Sequence, residues 1–203
     1  MPRVTRGHGF LEHLLARLRA RKADALIPPA LRSGTIVDIG SGAYPLYLAS
    51  TRFARKIGLD RQYLAGPPAD APAGIELLGF DAHDTAPLPF ADHSINAVTM
   101  LAVFEHLRPD RLVLLITEIH RVLAPGGVFV MTTPSSAAEP VLKVLSALGG
   151  ISKEEFEEHT DHYSREKIHA VLRQTPFAPE TTRSGLFELG MNVWVCARKQ
   201  SSP

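Results

Sequence analysis

Cysteine is almost absent from this chain of 203 residues, and so is any strong net charge. Cys196 is the only cysteine, so no intramolecular disulfide can form, and a reducing, cytoplasmic compartment is expected. The net charge is only +1, which gives no strong global field to attract nucleic acid. No apolar run approaches the roughly 18 residues that a membrane span needs. These absences favour a globular protein with one sizeable core.

Positive charge is concentrated at the N-terminus. Residues 1–32 contain seven basic and two acidic side chains, a balance of +5. Helical spacing predicts an amphipathic helix whose apolar face packs on the rest of the protein. The face consists of Leu11, Leu14, Leu15 and Leu18. We therefore treat residues 1–34 as an N-terminal helical cap. A weak contact of this basic helix with a membrane surface, or a transit peptide, stays open as an alternative.

The rest of the chain alternates between strand-like and helix-like segments. Helices are predicted after Pro45, from Pro109 to about residue 123, and near 137–148 and 164–174. Short apolar runs predict seven strands. They cover residues 35–40, 56–60, 75–80, 95–101, 128–132, 180–187 and 191–198. This alternation predicts a doubly wound α/β sheet with mostly parallel strands. Because only residues 188–191 separate the last two strands, that pair should be antiparallel.

A glycine-containing turn follows the first predicted strand. Gly40 and Gly42 lack a Cβ, which lets a ligand approach the backbone closely. Asp60 ends the second strand, 22 residues after Asp38, where an acid can accept hydrogen bonds from a ribose diol. Pro45 stands where a dinucleotide fingerprint has its third glycine, which disfavours NAD or FAD. The pattern therefore predicts a different cofactor that carries a nucleoside.

Four further segments follow in a consistent order. They are Asp81-Ala82 after the third strand, Leu88-Pro89-Phe90 before the fourth, Glu105-His106-Leu107 after it, and Arg121-Val122-Leu123-Ala124-Pro125-Gly126-Gly127 before the fifth. Together with the turn that begins at Asp38, these segments resemble the class I S-adenosylmethionine-dependent methyltransferases, especially the methyltransferase type 11 group. The resemblance extends over roughly residues 34–198.

The resemblance implies a fold and a cofactor. The fold would be a Rossmann-like, seven-stranded, mostly parallel sheet with an antiparallel last strand. Residues 35–203 would form the S-adenosylmethionine-binding methyltransferase domain. The chain would be an enzyme that consumes S-adenosylmethionine and releases S-adenosylhomocysteine.

The resemblance also implies a first group of cofactor-binding residues. The first motif, which includes Ser41, would wrap the methionine part of the cofactor through Asp38, Gly40 and Gly42. Asp60 would hold the ribose hydroxyls.

A second group would surround the other parts of the cofactor. Arg61 would flank the adenine, and Asp81 and Ala82 would contact it. Met100 and Leu101 would line the floor beneath the sulfonium.

Two positions depart from the family pattern. Tyr44 replaces the third glycine, and Asn96 replaces the usual acid at the start of strand four.

Histidine and tyrosine supply the candidate residues for the acceptor side. His106 follows strand four and is the leading candidate for a general base, with a structural role at the following helix as the alternative. Tyr44, His159 and Tyr163 are predicted to line the acceptor pocket. His159 and His162 have a spacing that metal ligands use, but no third ligand is evident, so no metal is predicted.

The expected acceptor is a small molecule, a lipid or a saccharide, with O-, N- and C-methylation all open. A nucleic-acid or protein methyltransferase is the first alternative, and a non-catalytic S-adenosylmethionine-binding module is the second. Residues 100–104 lack the Asn/Asp-Pro-Pro-aromatic segment found in amino-methylating nucleic-acid enzymes of this fold. Cys196 is badly placed for cytosine-carbon methylation, which needs a thiolate nucleophile. The oligomeric state is not predicted.

Overall fold

A seven-stranded sheet forms the centre of the protein. The computed structural model describes residues 10–68, 71–135 and 163–201. The strands are β1 (Thr35–Ile39), β2 (Arg55–Asp60), β3 (Glu76–Gly79), β4 (Ile95–Leu101), β5 (Leu123–Pro134), β6 (Thr182–Phe187) and β7 (Asn192–Arg198). Their order is β3-β2-β1-β4-β5-β7-β6. β7 alone runs opposite to the other six strands, which confirms the predicted reversed strand and final hairpin.

Four α-helices cover the sheet within the described residues. They are α1 (Phe10–Leu26), α2 (Leu46–Ser50), α3 (Pro109–Val122) and α4 (Arg165–Leu172). Alternate residues of the central strands enter two separate cores. Ile36 packs in the core that includes α1 and α2, whereas Val37 packs in the core that includes α3 and α4. Burial on both faces explains why these strands are apolar throughout. The helix predicted near 137–148 lies outside the described residues.

Helix α1 packs on the sheet through small side chains. Ala20 and Ala23 are buried, as is Ile27 directly after the helix, whereas Leu14 is 46% exposed. The prediction that the leucine face would be the packed face is therefore wrong at Leu14. The alanines allow the helix axis to approach the sheet closely, which a row of leucines would prevent.

The connections between the first strands are short, as predicted. A single 3-10 turn, Arg61–Tyr63, is the only helical element described between β2 and β3. Residues 80–94 join β3 to β4 without a helix. Arg121 at the end of α3 holds this second connection by donating to the backbone oxygens of Leu88 and Phe90.

Strand β5 begins earlier than predicted. Leu123 pairs with Ile95, and the next paired residue is Val128 opposite Ala97. The Pro-Gly-Gly segment thus forms a bulge within the strand rather than the end of a turn. Gly126 adopts a φ of +78° there, which glycine tolerates because it has no Cβ.

The parallel strands bring their carboxyl ends to one edge of the sheet. Ile39 pairs with Leu59 of β2 and with Met100 of β4, so the segments that follow β1, β2 and β4 start side by side. Open α/β sheets bind ligands at this edge. The predicted cofactor residues are therefore brought to one place by the topology.

Candidate functional site

The turn after β1 depends on glycine. Gly40 and Gly42 have φ angles of +74° and +73°, a left-handed region that side chains with a Cβ rarely adopt. The backbone N–H groups of Gly40 and Ser41 both donate to the oxygen of Leu59, at 2.8 and 3.2 Å. A Cβ at Gly40 would lie 2.3 Å from Cγ2 of Val103. The turn is thus fixed against the end of β2 and against the segment that follows β4.

Asp60 lies between the turn and the end of β2. Its buried carboxylate accepts the Gly42 N–H through Oδ2 at 2.8 Å and the Gln62 N–H through Oδ1 at 3.0 Å. Each carboxylate oxygen can accept more than one hydrogen bond, so each retains capacity for a hydroxyl donor. The sequence analysis missed the structural part of this role, in which Asp60 ties the glycine turn to the segment after β2.

Tyr63 is a residue of the site that the sequence analysis missed. Its buried hydroxyl donates to the Gly42 oxygen, and Ser41 Oγ lies 3.5 Å from that hydroxyl. Burial raises the pKa of Tyr63, with Asp60 acting in the same direction, so the phenol stays a neutral donor. The available signal was an aromatic residue three positions after the acid that ends β2.

Asp38 is buried on the face of the sheet that α2 covers. Its Oδ1 accepts a hydrogen bond from Thr99 Oγ1 at 2.6 Å. Burial raises the pKa of Asp38 to about 7, and the charge of Asp60 acts in the same direction. Asp38 therefore titrates near neutral pH, unlike an exposed aspartate.

The segment after β3 is held by α3. Asp81 Oδ1 accepts the His83 N–H at 2.9 Å, and the Ala82 oxygen accepts from Arg111 Nε at 2.8 Å. Arg111 is buried, and its Nη2 has no hydrogen-bond partner among the described residues. Burial lowers the pKa of Arg111, and Asp84 and Asp81 oppose that effect. The Asp81-Ala82 pair thus occupies a defined position at the carboxyl edge.

The end of β4 presents backbone rather than the Met100 side chain. Met100 is fully buried in the core beneath α3, whereas Leu101 is half-buried on the opposite face. Ala102 has a φ of +55°, and its N–H donates to the Thr132 oxygen at 2.9 Å. This unusual conformation redirects the chain at the sheet edge, where strained residues are frequent in functional sites.

His106 ends the 3-10 turn Phe104–His106 directly after β4. His106 is half-buried, and its backbone N–H donates to the Val103 carbonyl oxygen at 3.0 Å. Because Val103 packs at Gly40, this turn connects His106 to the glycine turn. The neighbouring Glu105 is buried and accepts a hydrogen bond from Thr133 at 3.0 Å.

The remaining predicted pocket residues lie in different settings. Tyr44 is half-buried just after the glycine turn, and Arg61 is exposed after β2. Tyr163 is buried, with its hydroxyl donating to the Leu107 oxygen at 2.9 Å and its ring edge-on to Phe104. Tyr163 thus supports the segment after β4. His159 lies outside the described residues.

Asn96 lies at the amino ends of the parallel strands, opposite the carboxyl edge that holds the glycine turn. Its Oδ1 accepts the Thr35 N–H at 2.8 Å, at the start of β1. A Cβ at Gly34 would lie 1.8 Å from the same oxygen. Asn96 thus joins the amino ends of β1 and β4, away from the glycine turn.

The donor and acceptor set at the carboxyl edge suits a cationic nucleoside. Carboxylates at Asp38, Asp60 and Asp81 can accept from ribose hydroxyls, an adenine amine and a cationic tail. Each of the two oxygens of Asp60 already accepts one backbone N–H, from Gly42 or from Gln62, and keeps further acceptor capacity. The residues present therefore fit S-adenosylmethionine.

Within the described ranges, no group of three or more His, Cys, Asp or Glu side chains is arranged to hold a metal ion. His162, which the sequence analysis considered with His159, also lies outside those ranges. Among the described helices, none has the length and apolar character needed to cross a bilayer.

Comparison with known proteins adds a family and a fold. Residues 37–131 match the family described as methyltransferase domain. A solved structure from Thermotoga maritima, named as a possible histamine N-methyltransferase, is 20% identical, with 94% of this chain and 92% of that chain covered and a TM-score of 0.66. A SAM-dependent methyltransferase from Archaeoglobus fulgidus is 15% identical over 92% of this chain and 94% of that chain, with a TM-score of 0.66.

A third solved structure, geranyl diphosphate methyltransferase with GPP and sinefungin, is 16% identical over 92% of this chain and 80% of that chain, with a TM-score of 0.60. A search among curated proteins found no similar sequence.

Proposed function

We propose that this chain is a class I S-adenosylmethionine-dependent methyltransferase and that its acceptor is a small molecule, a lipid or a saccharide. The enzyme class and the cofactor follow from the family match over residues 37–131 together with the strand order. The acceptor class, the individual site residues and a cytoplasmic location are parts of the proposal.

The residues proposed to hold the cofactor are those at the carboxyl edge. The turn from Gly40 to Gly42 would receive the amino-acid tail beside Asp38, Asp60 would accept from the ribose, and Asp81 would accept from the adenine amine. Bound S-adenosylmethionine would supply a methyl group on a sulfonium. The group that leaves is the neutral thioether of S-adenosylhomocysteine, which is a good leaving group. The protein then mainly aligns the acceptor and excludes water.

The segment after β4 is the observation that carries the acceptor proposal. It forms one tight turn in which Phe104 and Leu107 are buried in the core. His106 is half-buried in this turn, which packs on the glycine turn through Val103. An imidazole there can take the proton of an acceptor hydroxyl near neutral pH.

Charge and the solved relatives support the same choice. The net charge of +1 gives little general attraction for a nucleic-acid backbone. Two of the structural neighbours are named for small acceptors, histamine and geranyl diphosphate. Their low identity restricts that support to the capacity of this fold to enclose such molecules.

A methyl-transfer assay tests the proposal. The protein, labelled S-adenosylmethionine and separate pools of soluble metabolites, lipid extract, saccharides, RNA, DNA and denatured protein would be incubated in parallel. We expect label to enter one of the first three pools. Transfer only to RNA, DNA or protein would refute the proposed acceptor class, and cofactor binding without transfer to any pool would favour a non-catalytic module.

The pH profile of the active pool tests the role of His106. If His106 is the base, the rate should rise with pH to a plateau and His106→Gln should lose that inflection together with about 100-fold or more of the rate. Cofactor affinity should stay unchanged in this variant. A variant that keeps the wild-type profile would assign His106 the structural alternative.

A further inference from the structure

The tip of the hairpin between β6 and β7 has an unusual composition. Glu188 and Leu189 form the centre of the turn, with φ angles of +53° and +56°, and the Gly190 N–H closes it onto the Phe187 oxygen at 3.1 Å. Left-handed positions at such turns favour asparagine, aspartate and glycine. Leu189 is nevertheless there, and it is 102% exposed. Neither backbone preference nor packing accounts for a leucine at this point.

Helix α1 runs along β7 toward this tip. Lys22 Nζ lies 4.6 Å from the centre of the Trp194 ring, within β7. One helical turn earlier lies Arg19, whose charge lowers the pKa of Glu188 at the tip against the rise that burial causes. The residues of α1 that precede Arg19, including the 46% exposed Leu14, therefore continue toward the same edge of the sheet.

The hairpin tip lies at the same edge of the sheet as the candidate site. β6 is parallel to β5, because both are antiparallel to β7. After β5, Ser135 Oγ donates to the Gly190 oxygen at 2.6 Å, and the Ser135 N–H donates to the Met191 oxygen at 2.8 Å. The exposed leucine therefore flanks the carboxyl edge at which the acceptor would enter.

The helix adds positive charge to this edge. Residues 14–26 carry four cations, Arg17, Arg19, Arg21 and Lys22, and one acid. That acid, Asp24, is bound by Arg32 at 2.9 Å. The surface formed by residues 14–22 and 188–190, called the docking edge below, thus combines two exposed leucines, Leu14 and Leu189, with four cations and one carboxylate, that of Glu188.

We propose that the docking edge binds an anionic lipid surface, with Leu189 entering the interfacial region and the arginines of α1 facing the lipid headgroups. A partner of this kind suits the pattern, because cations near anionic lipid and an apolar side chain in the interface act together. Its further consequence, that the acceptor is presented at that surface, rests on the proposed lipid or saccharide acceptor class.

Other partners fit this edge less well. A stable protein interface needs a broad apolar core, whereas the exposed large apolar side chains of the docking edge are Leu14 and Leu189 alone among the described residues. Single-stranded nucleic acid is bound by exposed aromatic rings, and the ring of Trp194 is covered by Lys22. The observations therefore favour a membrane over either macromolecule.

Sedimentation with vesicles tests the inference. One set would contain phosphatidylcholine alone, and the other equal parts of phosphatidylcholine and phosphatidylglycerol, each at low and high salt. We expect the protein to sediment with the anionic vesicles at low salt, and salt to weaken this binding. Leu189→Asn should reduce the partition coefficient about tenfold, since it removes the aliphatic side chain that enters the lipid interface. Arg17→Glu with Arg21→Glu should reduce it at least as much.

Folding and surface hydrophobicity are controlled separately. Asparagine is better suited than leucine to the positive φ of residue 189, so Leu189→Asn should not lower the thermal unfolding midpoint. Leu114, which is 51% exposed on α3, provides the matched control, and Leu114→Asn should bind vesicles like the wild type.

Three outcomes would overturn the inference: no sedimentation with anionic vesicles, equal losses for the two asparagine variants, or tighter binding to an RNA oligonucleotide than to vesicles. Methyl transfer to a soluble metabolite without vesicle binding would refute the docking edge and leave the proposed function standing. Vesicle binding with methylation of RNA or protein alone would support the docking edge and refute the proposed acceptor class.

Discussion

At Gly40, both the backbone conformation and the packing of the site require a residue without a Cβ. Gly40→Ala would place a Cβ 2.3 Å from Val103 Cγ2 and would impose a φ of +74° on alanine. We expect a loss of about 2–4 kcal/mol in the free energy of unfolding, from steric overlap together with left-handed strain. Urea unfolding measures this loss.

The double variant separates the two causes. Val103→Ala removes the overlapping methyl group, so it should recover part of the Gly40→Ala loss when the two are combined. The strain of about 1–2 kcal/mol should remain. Purely additive losses would show that Val103 and Gly40 do not pack as described.

The raised pKa of Asp38 predicts that the stability of the protein depends on pH. In the folded protein burial raises its pKa to about 7, whereas an unfolded aspartate has a pKa of about 3.9. Between these values the native state keeps a proton that the unfolded state has lost, so stability falls as the pH rises through this window.

Asp38→Asn should remove that contribution and keep an acceptor for Thr99. Between about pH 4 and pH 7, the free energy of unfolding of the wild type should fall more than that of the variant. The difference between the two falls should reach up to roughly 4 kcal/mol. Urea unfolding at a series of pH values tests this. Parallel curves for the two proteins would contradict the buried titration.

At the level of elements, Arg121 holds a long connection that contains no helix. Residues 80–94 form no helix, and the Arg121 guanidinium holds them through Leu88, Phe90 and Asp92 while it also binds Glu118. Arg121→Lys cannot reproduce this planar set of donors. We expect a loss of about 1–3 kcal/mol in the free energy of unfolding.

Arg55→Lys is the matched control for Arg121→Lys. Among the described residues the Arg55 side chain pairs with Glu76 alone, and both side chains are largely exposed, so its replacement should cost less than about 0.5 kcal/mol. Equal losses for the two lysine variants would show that residues 80–94 do not depend on Arg121.

Sequence reasoning at this level succeeded where a local pattern determines an element. Short continuous apolar runs and the four-residue connection predicted all seven strands and the final hairpin, because the strands are buried on both faces. It failed where distant residues decide the structure. The bulge at Pro125 to Gly127 depends on pairing with β4, and the exposure of Leu14 depends on the alanines that contact the sheet.

The site shows the same division. The family pattern placed Asp38, Asp60 and Asp81 at one edge, because parallel strands align their carboxyl ends. It could not reveal that Asp60 binds the Gly42 N–H, that Tyr63 binds the Gly42 oxygen, or that Arg111 holds Ala82. Those contacts join residues that lie far apart in sequence.

At the level of the whole molecule, α1 shares a core with the sheet. It covers Ile36, Ala97 and Val130 together with α2. Removal of residues 1–27 should therefore lower the thermal unfolding midpoint or abolish cooperative unfolding, since it uncovers apolar surface. An unchanged midpoint in differential scanning calorimetry would support a separate cap over residues 1–34.

The central claim is that the Asp60 carboxylate holds the ribose of S-adenosylmethionine while it fixes the glycine turn. Isothermal titration calorimetry with S-adenosylmethionine on the wild type, Asp60→Asn and Asp24→Asn tests it most directly. Asp24 is a control carboxylate that binds Arg32 and Thr51 away from the turn. With all three proteins folded at the titration temperature, we expect Asp60→Asn to lose about 10- to 100-fold in affinity and Asp24→Asn to bind like the wild type. Wild-type affinity in folded Asp60→Asn would contradict the account.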